Sequence, residues 1–295
     1  MTAPLFKRIA FIGIGHIGSS VARIARERSD MAGEIVANAR TQKTLDRVME
    51  LGIADSVETD PARAVEGADL VMLCAPVGAY AALAAAIAPH LAPGAIVTDV
   101  GSVKQSVIRD VGPLLPEGVH FVPAHPLAGT EYSGPDSGFT TLFQGRWVLL
   151  TPTPGTDEAA VEKVAELWRR CGAMIERMEP AHHDRALAIT SHLPHLIAFT
   201  ICGTADDLAD ESREEVLKFA ASGFRDFTRI AASDPTMWRD IFLNNREALL
   251  EMLARFTEDA QAMARAVRWG DSAYIEDRIG RGRKIRRGLI ENKQA

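Results

Sequence analysis

The 295-residue sequence has few of the features that mark secreted or membrane-spanning chains. Its three cysteines, Cys74, Cys171 and Cys202, are far apart and form neither a disulfide framework nor a metal-ligand spacing. No uninterrupted apolar run of about 18 residues occurs, and glycines interrupt the apolar N-terminus too early for a secretory signal. These absences predict a cytoplasmic protein with no membrane partner.

An excess of positive charge is also missing. The sequence has 33 Lys and Arg against 39 Asp and Glu, a formal net charge of −6, which argues against nucleic acid as a partner. Its hydrophobic fraction of 47% is ordinary for a globular chain and is enough to form a substantial core. The length predicts one large domain or two smaller ones.

Short apolar runs of β type alternate with helical segments over the first 179 residues. The runs are KRIAFI (7–12), EIVANA (34–39), DLVMLCAP (69–76), AIVTDVGS (95–102), HFVPAHP (120–126), RWVLLT (146–151) and MIERM (174–178). This alternation is typical of βαβ units, so it predicts an α/β fold with a parallel sheet.

From about Glu179 onward helical periodicity replaces the strand signals. We therefore predict two domains, 1–179 and 180–295, the second of them all-α. Apolar residues recur at helical spacing through 235–268, and one helix of that length would extend about 50 Å. Because this exceeds the width of a small helical domain, we expect its apolar face to meet a second copy of the chain in a homodimer.

A glycine-rich turn follows the first predicted strand. Gly13-Ile14-Gly15-His16-Ile17-Gly18 matches the G-x-G-x-x-G pattern at the junction of a strand and a helix. The first glycine allows a tight turn, the second lets the backbone approach a pyrophosphate, and the third lets helix and strand pack closely. A turn without a ligand is the alternative, but its position in the alternating pattern favours a Rossmann-type dinucleotide site that includes His16 and Ile17.

The end of the second predicted strand bears on the choice of dinucleotide. It reads Asn38-Ala39-Arg40-Thr41 and has no acid to hold a ribose 2′-hydroxyl. Arg40 and Thr41 could instead pair with a 2′-phosphate, so we expect NAD or NADP, with NADP at least tolerated. The alternative is that Arg40 is a solvated surface cation.

Four further motifs combine polar residues with glycine or proline. They are 99–104 (DVGSVK), 125–131 (HPLAGTE), 191–195 (SHLPH) and 223–229 (GFRDFTR). Together with the glycine turn, and in this order, they resemble the prephenate/arogenate (cyclohexadienyl) dehydrogenase family over nearly the whole chain. The resemblance implies oxidative decarboxylation of prephenate or arogenate, with hydride transfer to NAD(P)⁺, in tyrosine biosynthesis.

The resemblance also implies roles for particular residues. His125 receives the proton of the substrate hydroxyl, a task suited to a neutral imidazole. Ser102 hydrogen-bonds that hydroxyl or His125, although Ser102 and Gln105 also read as a capping box that opens a helix over 103–111. Arg229 binds the ring carboxylate, and the substrate pocket is lined by His195 and Ser191.

Other polar residues permit two interpretations. Arg225 and Arg229 are four residues apart, so a substrate carboxylate would relieve their repulsion; an ion pair of Arg229 with Asp226 is the alternative. Glu131 either pairs with the ammonium of arogenate or with an arginine at the pocket mouth.

The histidines near the start of the second domain have less definite roles. His192 suits the core or a supporting position behind the pocket, and we expect His182 and His183 to be surface or cap residues. The sequence offers no convincing metal ligands.

Two other functions remain possible on these features. A β-hydroxyacid dehydrogenase or imine reductase would combine the same domains, and a dinucleotide-sensing dimer would keep the glycine turn without turnover. A dinucleotide sensor without turnover would not need His125 or Arg229, and both are present in suitable motifs.

Overall fold

A computed structural model of the chain describes residues 3–130, 132–207 and 218–291. Its strands are β1 (Phe6–Ile12), β2 (Ala32–Asn38), β3 (Ser56–Glu58), β4 (Leu70–Leu73), β5 (Ile96–Asp99), β6 (His120–Val122), β7 (Ala124–Pro126), β8 (Trp147–Leu150) and β9 (Met174–Arg177). The described helices of the first half are α1 (His16–Glu27), α2 (Gln42–Glu50), α3 (Pro61–Ala64), α4 (Tyr80–Ile87), α5 (Gln105–Val111) and α6 (Glu158–Arg170). The described helices of the second half are α7 (Pro180–Leu187), α8 (Leu193–Asp206), α9 (Ser222–Thr228), α10 (Pro235–Asn244), α11 (Arg246–Trp269) and α12 (Ser272–Glu291).

The first six strands form a parallel sheet in the order β3-β2-β1-β4-β5-β6. This order reverses direction between β1 and β4, which is where open α/β sheets bind ligands at the carboxyl ends of their strands. The predicted α/β fold with a parallel sheet is confirmed. The sequence did not predict the second sheet, β7-β8-β9, in which β7 pairs antiparallel with β8.

Both faces of the large sheet are buried under helices. In β1, Ile9 and Phe11 belong to one apolar cluster with side chains of α1 and α6, whereas Ala10 and Ile12 belong to a second cluster with side chains of α4 and α5. Alternate side chains of a strand point to opposite faces, so a sheet covered on both sides needs continuous apolar strands. The core therefore fixes the strand ends that carry the polar motifs.

The long helix predicted over 235–268 is two helices in the structure. α10 ends at Asn244, and α11 begins at Arg246. Between them Asn245 is buried, and its side-chain amide donates to the carbonyl oxygen of Asp184 at 2.8 Å. The prediction of one helix about 50 Å long was wrong, because periodicity does not reveal a buried polar residue that interrupts the helix.

By backbone contacts the chain forms two compact units, residues 1–246 and 247–295. This division differs from the domain boundary expected at residue 179, which stays a prediction. In the second unit, Arg278 of α12 forms an ion pair with Asp259 of α11.

One described segment, Pro180–Asp206, is long and apolar enough to cross a membrane by length and composition, with a mean hydropathy of 1.4. The sequence predicts no membrane-spanning segment, because this segment is not an uninterrupted apolar run. It comprises α7, a π-helical turn (Ala188–His192) and α8, and it contains the buried polar residues His183, Asp184 and His192. Core helices of water-soluble proteins pass the same test, so the segment is weak evidence for a membrane.

Candidate active site

The glycine turn after β1 has the shape that a bound dinucleotide requires. Gly13 has a φ of +88°, and a Cβ there would lie 2.8 Å from the backbone nitrogen of Ala75. A Cβ on Gly18 would lie 3.1 Å from the carbonyl oxygen of Gly13, so this glycine allows α1 to pack against the turn. A Cβ on Gly15 would meet nothing within 4 Å. The space in front of the N-terminus of α1 is therefore open at the position where a pyrophosphate would approach the backbone.

The other two residues of the motif are held by side-chain packing. His16 is buried, and its Nδ1 lies 3.1 Å from Oγ of Ser137. Burial lowers the pKa of His16, and the hydrogen bond with Ser137 opposes the shift only in part. Its Nε2 is buried without a hydrogen-bond partner among the described residues. Ile17 packs against the first apolar cluster. An unsatisfied ring nitrogen beside an open helix N-terminus suits a site that a polar ligand completes.

The end of β2 leaves Arg40 exposed next to this turn. Asn38 is buried and donates to the carbonyl oxygens of Glu58 and Thr59 at 3.0 and 3.1 Å. Thr41 caps α2 by accepting a hydrogen bond from the backbone nitrogen of Thr44 at 3.2 Å. The arrangement offers an exposed guanidinium rather than a carboxylate at the position that distinguishes the two dinucleotides.

A buried ion pair lies at the end of β5. Lys104 and Asp99 are both fully buried, and Nζ of Lys104 lies 2.5 Å from Oδ2 of Asp99. Burial raises the pKa of Asp99 and lowers the pKa of Lys104, while their mutual attraction opposes both shifts. The pair also holds the backbone of Ala124, since Oδ1 of Asp99 accepts its N–H at 3.1 Å and Lys104 donates to its carbonyl at 2.7 Å.

The predicted capping box at Ser102 was wrong. α5 begins at Gln105 with Lys104 as its cap residue, and the cap makes no side-chain hydrogen bond of its own. Instead the carboxylate of Asp184, on α7, accepts the backbone N–H groups of Lys104 and Gln105 at 2.8 and 2.9 Å. A carboxylate from another helix thus caps α5. Ser102 is half-buried in the segment that connects β5 to α5.

His125 lies in the middle of the short strand β7. It is buried, and its backbone pairs with Leu149 of β8 in the second sheet. Burial lowers the pKa of His125 well below its ordinary value, and His183, Lys104 and His192 lower it further. The imidazole is therefore neutral around pH 7, which is the form that can accept a proton.

His183 was expected at the surface, and the structure corrects this. It is fully buried, its Nε2 lies 2.9 Å from Nδ1 of His125, and its Nδ1 lies 2.8 Å from Oδ1 of Asp184. The sequence held a signal for this position: Pro180 marks the start of α7, and the buried Leu187 lies four residues after His183 on the same helical face. His182 is exposed, as predicted.

His192 is also fully buried and supports the site from behind. Its Nδ1 lies 2.9 Å from the amide nitrogen of Asn245, and burial lowers its pKa to about 4. The backbone of Ser102 lies beside the ring. This placement matches the core or supporting role expected for His192.

The segment that contains Ser191 and His195 passes through the π-helical turn into α8. Nδ1 of His195 donates to the carbonyl oxygen of Ser191 at 2.9 Å. The ring of His195 stacks on Trp238 of α10, with centroids 3.7 Å apart. Burial lowers the pKa of His195, and the nearby cation of Arg229 acts in the same direction against the hydrogen bond to Ser191.

The two arginines of the fourth motif do not share one regular helix. α9 contains Arg225 and ends at Thr228, and Arg229 begins a 3₁₀ turn that runs to Ala232. Both guanidinium-bearing residues are exposed, and Arg229 is the one that influences His195. Glu131 lies outside the described residues.

The structure thus brings several predicted residues into one connected region. His192 helps to lower the pKa of His125, the Ser102 backbone lies beside His192, and both His192 and His195 contact the ring of Trp238. From the sequence, Asp99 and Lys104 were noted only as part of a motif, and His183 was expected only as a surface or cap residue. No supporting role was predicted for any of the residues that hold this region, which are Asp99, Lys104, His183, Asp184, Trp238 and Asn245. Across the described residues, no group of three or more His, Cys, Asp or Glu side chains could hold a metal ion.

The chain is similar to known proteins in both sequence and structure. Residues 21–177 match the model for the nucleotide-binding domain of prephenate dehydrogenase, and residues 179–279 match the model for its dimerization domain. The chain is 41% identical to the cyclohexadienyl dehydrogenase of Zymomonas mobilis over 97% of each chain.

Two solved structures extend the likeness to three dimensions. The prephenate dehydrogenase of A. aeolicus, in complex with hydroxyphenyl propionate and NAD⁺, has a TM-score of 0.87 at 34% identity over 96% of this chain and 98% of that one. The arogenate dehydrogenase of Synechocystis has a TM-score of 0.79 at 27% identity over 96% and 99%. The chain therefore belongs to the prephenate/arogenate dehydrogenase family of NAD-dependent oxidoreductases.

Proposed function

We propose that this chain catalyses the oxidative decarboxylation of prephenate or arogenate and that His125 is the group that accepts the proton. The observation that carries the proposal is the state of His125: a buried imidazole, kept neutral by its surroundings, on a strand whose backbone is fixed by an ion pair. A base needs an available lone pair at the working pH, and these surroundings supply it.

The substrate chemistry explains why such a base is needed. As hydride leaves C4 of the cyclohexadienol ring for the nicotinamide, the C4 hydroxyl loses its proton and carbon dioxide departs from C1. Formation of an aromatic ring drives the step. His125 removes the proton, and Ser102 hydrogen-bonds the same hydroxyl or His125 from the β5 connection.

Binding of the substrate carboxylates falls to the second half of the chain. We assign the ring carboxylate to Arg229, because an exposed guanidinium close to His195 can grip a carboxylate through two N–H groups. Arg225 adds positive charge nearby, and His195 and Ser191 line the pocket, with His195 oriented by the stack on Trp238. Glu131 remains a proposed contact for the substrate side chain and would favour the ammonium of arogenate.

The dinucleotide would lie on the turn formed by Gly13, Gly15, His16, Ile17 and Gly18, with its pyrophosphate at the N-terminus of α1. When bound, its oxidised nicotinamide accepts the hydride. Because Arg40 and Thr41 are exposed at the end of β2 and could pair with a 2′-phosphate, we propose that NADP is at least tolerated beside NAD. An Arg40→Asp variant should raise KM for NADP far more than for NAD; equal changes would remove Arg40 from the site.

We further propose a homodimer formed through the second domain, 180–295. The matching family model is that of a dimerization domain. Large apolar side chains are exposed on α8, α11 and α12, among them Ile201, Val267, Trp269, Ile279 and Ile285. A second copy of the chain would bury such residues and would also account for the apolar character of Pro180–Asp206. The unpaired state of all three cysteines supports a cytoplasmic location.

The decisive experiment measures formation of the reduced dinucleotide with each of the two substrates and each of the two dinucleotides. His125→Asn should lower kcat by about 10²–10⁴-fold with little change in KM, since only proton removal is lost. His120→Asn, in the neighbouring strand β6, is the matched control and should leave kcat unchanged. Full turnover by a folded His125→Asn variant, or no turnover by the unaltered protein with either substrate, would refute the proposal.

A further inference from the structure

His183 and Asp184 of α7 lie behind His125, and the proposed reaction assigns no role to either of them. We propose that His183, oriented by Asp184, is a positioning residue that fixes the tautomer of His125, with the proton on Nδ1 and the lone pair on Nε2. The inference rests on the proposed role of His125 and specifies which ring nitrogen takes the substrate proton.

The carboxylate of Asp184 determines which nitrogen of His183 carries a proton. Its oxygens accept hydrogen bonds from the backbone N–H groups of Lys104 and Gln105, donors that never give up their proton. Burial raises the pKa of Asp184, but the hydrogen bonds from His183, Gln105 and Lys104 outweigh burial and bring the pKa below its ordinary value. Asp184 is thus an ionised acceptor, so Nδ1 of His183 must donate to it across 2.8 Å.

The neutral state of His183 determines the direction of its hydrogen bond with His125. Burial lowers its pKa, and the hydrogen bond to Asp184 offsets this only in part, so the ring is neutral around pH 7. A neutral imidazole has one N–H, which Asp184 already receives, so Nε2 of His183 carries a lone pair. The contact of 2.9 Å with His125 is then a hydrogen bond donated by Nδ1 of His125.

The hydrogen bond to His183 determines which nitrogen of His125 is unprotonated. Because burial keeps this ring neutral too, the proton on Nδ1 leaves Nε2 unprotonated. Nε2 is therefore the base. After it takes the substrate proton, the positive ring still donates from Nδ1 to His183, whose dipole is aligned by the Asp184 carboxylate.

His183 is not needed to hold the backbone of the strand that carries His125. The strand that carries His125 is already held by pairing with β8, and the preceding Ala124 is held by Asp99 and Lys104. The contact that His183 makes with His125 is between the two rings, in an edge-to-face arrangement with centroids 5.1 Å apart. What it determines is the orientation of the catalytic ring and the location of its proton.

Two substitutions of His183 separate this role from packing. In His183→Asn the side-chain amide occupies the position of Nδ1 and can still donate to Asp184, but it ends short of His125. In His183→Gln the longer side chain presents an amide oxygen near the position of Nε2, where it can accept from Nδ1 of His125. We expect kcat to fall about 10²–10⁴-fold in the Asn variant with KM nearly unchanged, and to recover to within about tenfold of normal in the Gln variant.

The same pair of changes at the exposed neighbour His182 is the control and should have no effect. Normal turnover in His183→Asn would overturn the proposal. So would a Gln variant that is as impaired as the Asn variant, since the acceptor would then not matter.

A measurement on the unaltered protein covers the case in which the variants do not fold. Nitrogen-15 NMR of histidine-labelled protein distinguishes the two tautomers, and the His125 signals are identified by their loss in His125→Asn. We expect a protonated Nδ1 and an unprotonated Nε2; a protonated Nε2 would refute the inference. That result in an enzyme that turns over normally would leave the proposed function intact, whereas absence of turnover with either substrate would refute the proposed function whatever the tautomer.

Discussion

The glycine turn after β1 and the buried network beside β7 differ in the groups that they present to a ligand. We use the word network for the connected side chains of Asp99, Lys104, His125, His183, Asp184 and His192. The turn offers backbone N–H groups and empty space: a Cβ on Gly15 would meet nothing within 4 Å. The network consists of side chains, and four of them, Asp99, Lys104, His183 and His192, are fully buried. A backbone site is sensitive to added volume, whereas a buried polar network is sensitive to the loss of any donor, acceptor or charge.

The largest effect should come from breaking the charge balance of the network. Lys104→Met leaves the Asp99 carboxylate buried with only the backbone N–H groups of Gly101 and Ala124 as donors. We expect the free energy of unfolding to fall by about 3–5 kcal/mol, the usual cost of removing one partner of a buried ion pair. Urea denaturation measures this loss.

Lys43→Met, at an exposed position on α2, is the matched control. The double variant Asp99→Asn with Lys104→Met should regain part of the stability, because no buried charge then remains. A loss no larger than that of the control would show that the network does not depend on this ion pair.

Two alanine substitutions test the glycine turn. Gly13→Ala places a Cβ against the backbone of Ala75 at a φ of +88°, and should cost about 2–4 kcal/mol of stability through strain and overlap. Gly15→Ala meets open space and should cost less than about 1 kcal/mol, yet weaken dinucleotide binding by at least about tenfold. Urea denaturation and a Kd for NAD⁺ measure the two effects. An unchanged Kd in Gly15→Ala would mean that the ligand does not approach this backbone.

A third effect concerns pH and one residue of the network, His192. Burial lowers the pKa of His192 to about 4, with Asp184 opposing the shift and His183 and His195 adding to it. Between about pH 6.5 and 4 the unfolded chain therefore binds a proton that the folded protein does not, and stability falls as the pH falls, by about 1.4 kcal/mol per pH unit. His192→Asn keeps an acceptor for Asn245 and removes this titration.

Urea denaturation at several pH values in this window should show a shallower dependence for His192→Asn than for the unaltered protein. His182→Asn, on the exposed side of α7, should keep the original slope. Parallel curves for all three proteins would contradict the protonation difference at His192.

The fold was predictable because its signals are local. Continuous apolar strands and the helices between them repeat along the first half of the chain. Gly52, which has a φ of +63°, follows the end of α2. The prediction failed where a distant residue takes over a local task. Asp184 caps α5 in place of Ser102, and the carbonyl oxygen of Asp184 binds the side chain of Asn245, 61 residues away, where the predicted helix is interrupted.

The sequence by itself determined the glycine turn, since Gly13, Gly15 and Gly18 act through their own backbone within one stretch of chain. It also marked His125 through its motif. Only the tertiary structure decided that His183 and Asp184, 58 and 59 residues later, stand behind that imidazole. The physical reason is that a hydrogen bond between side chains depends on positions within a few tenths of an ångström, and these are fixed by packing of α7 against α5 rather than by any local pattern.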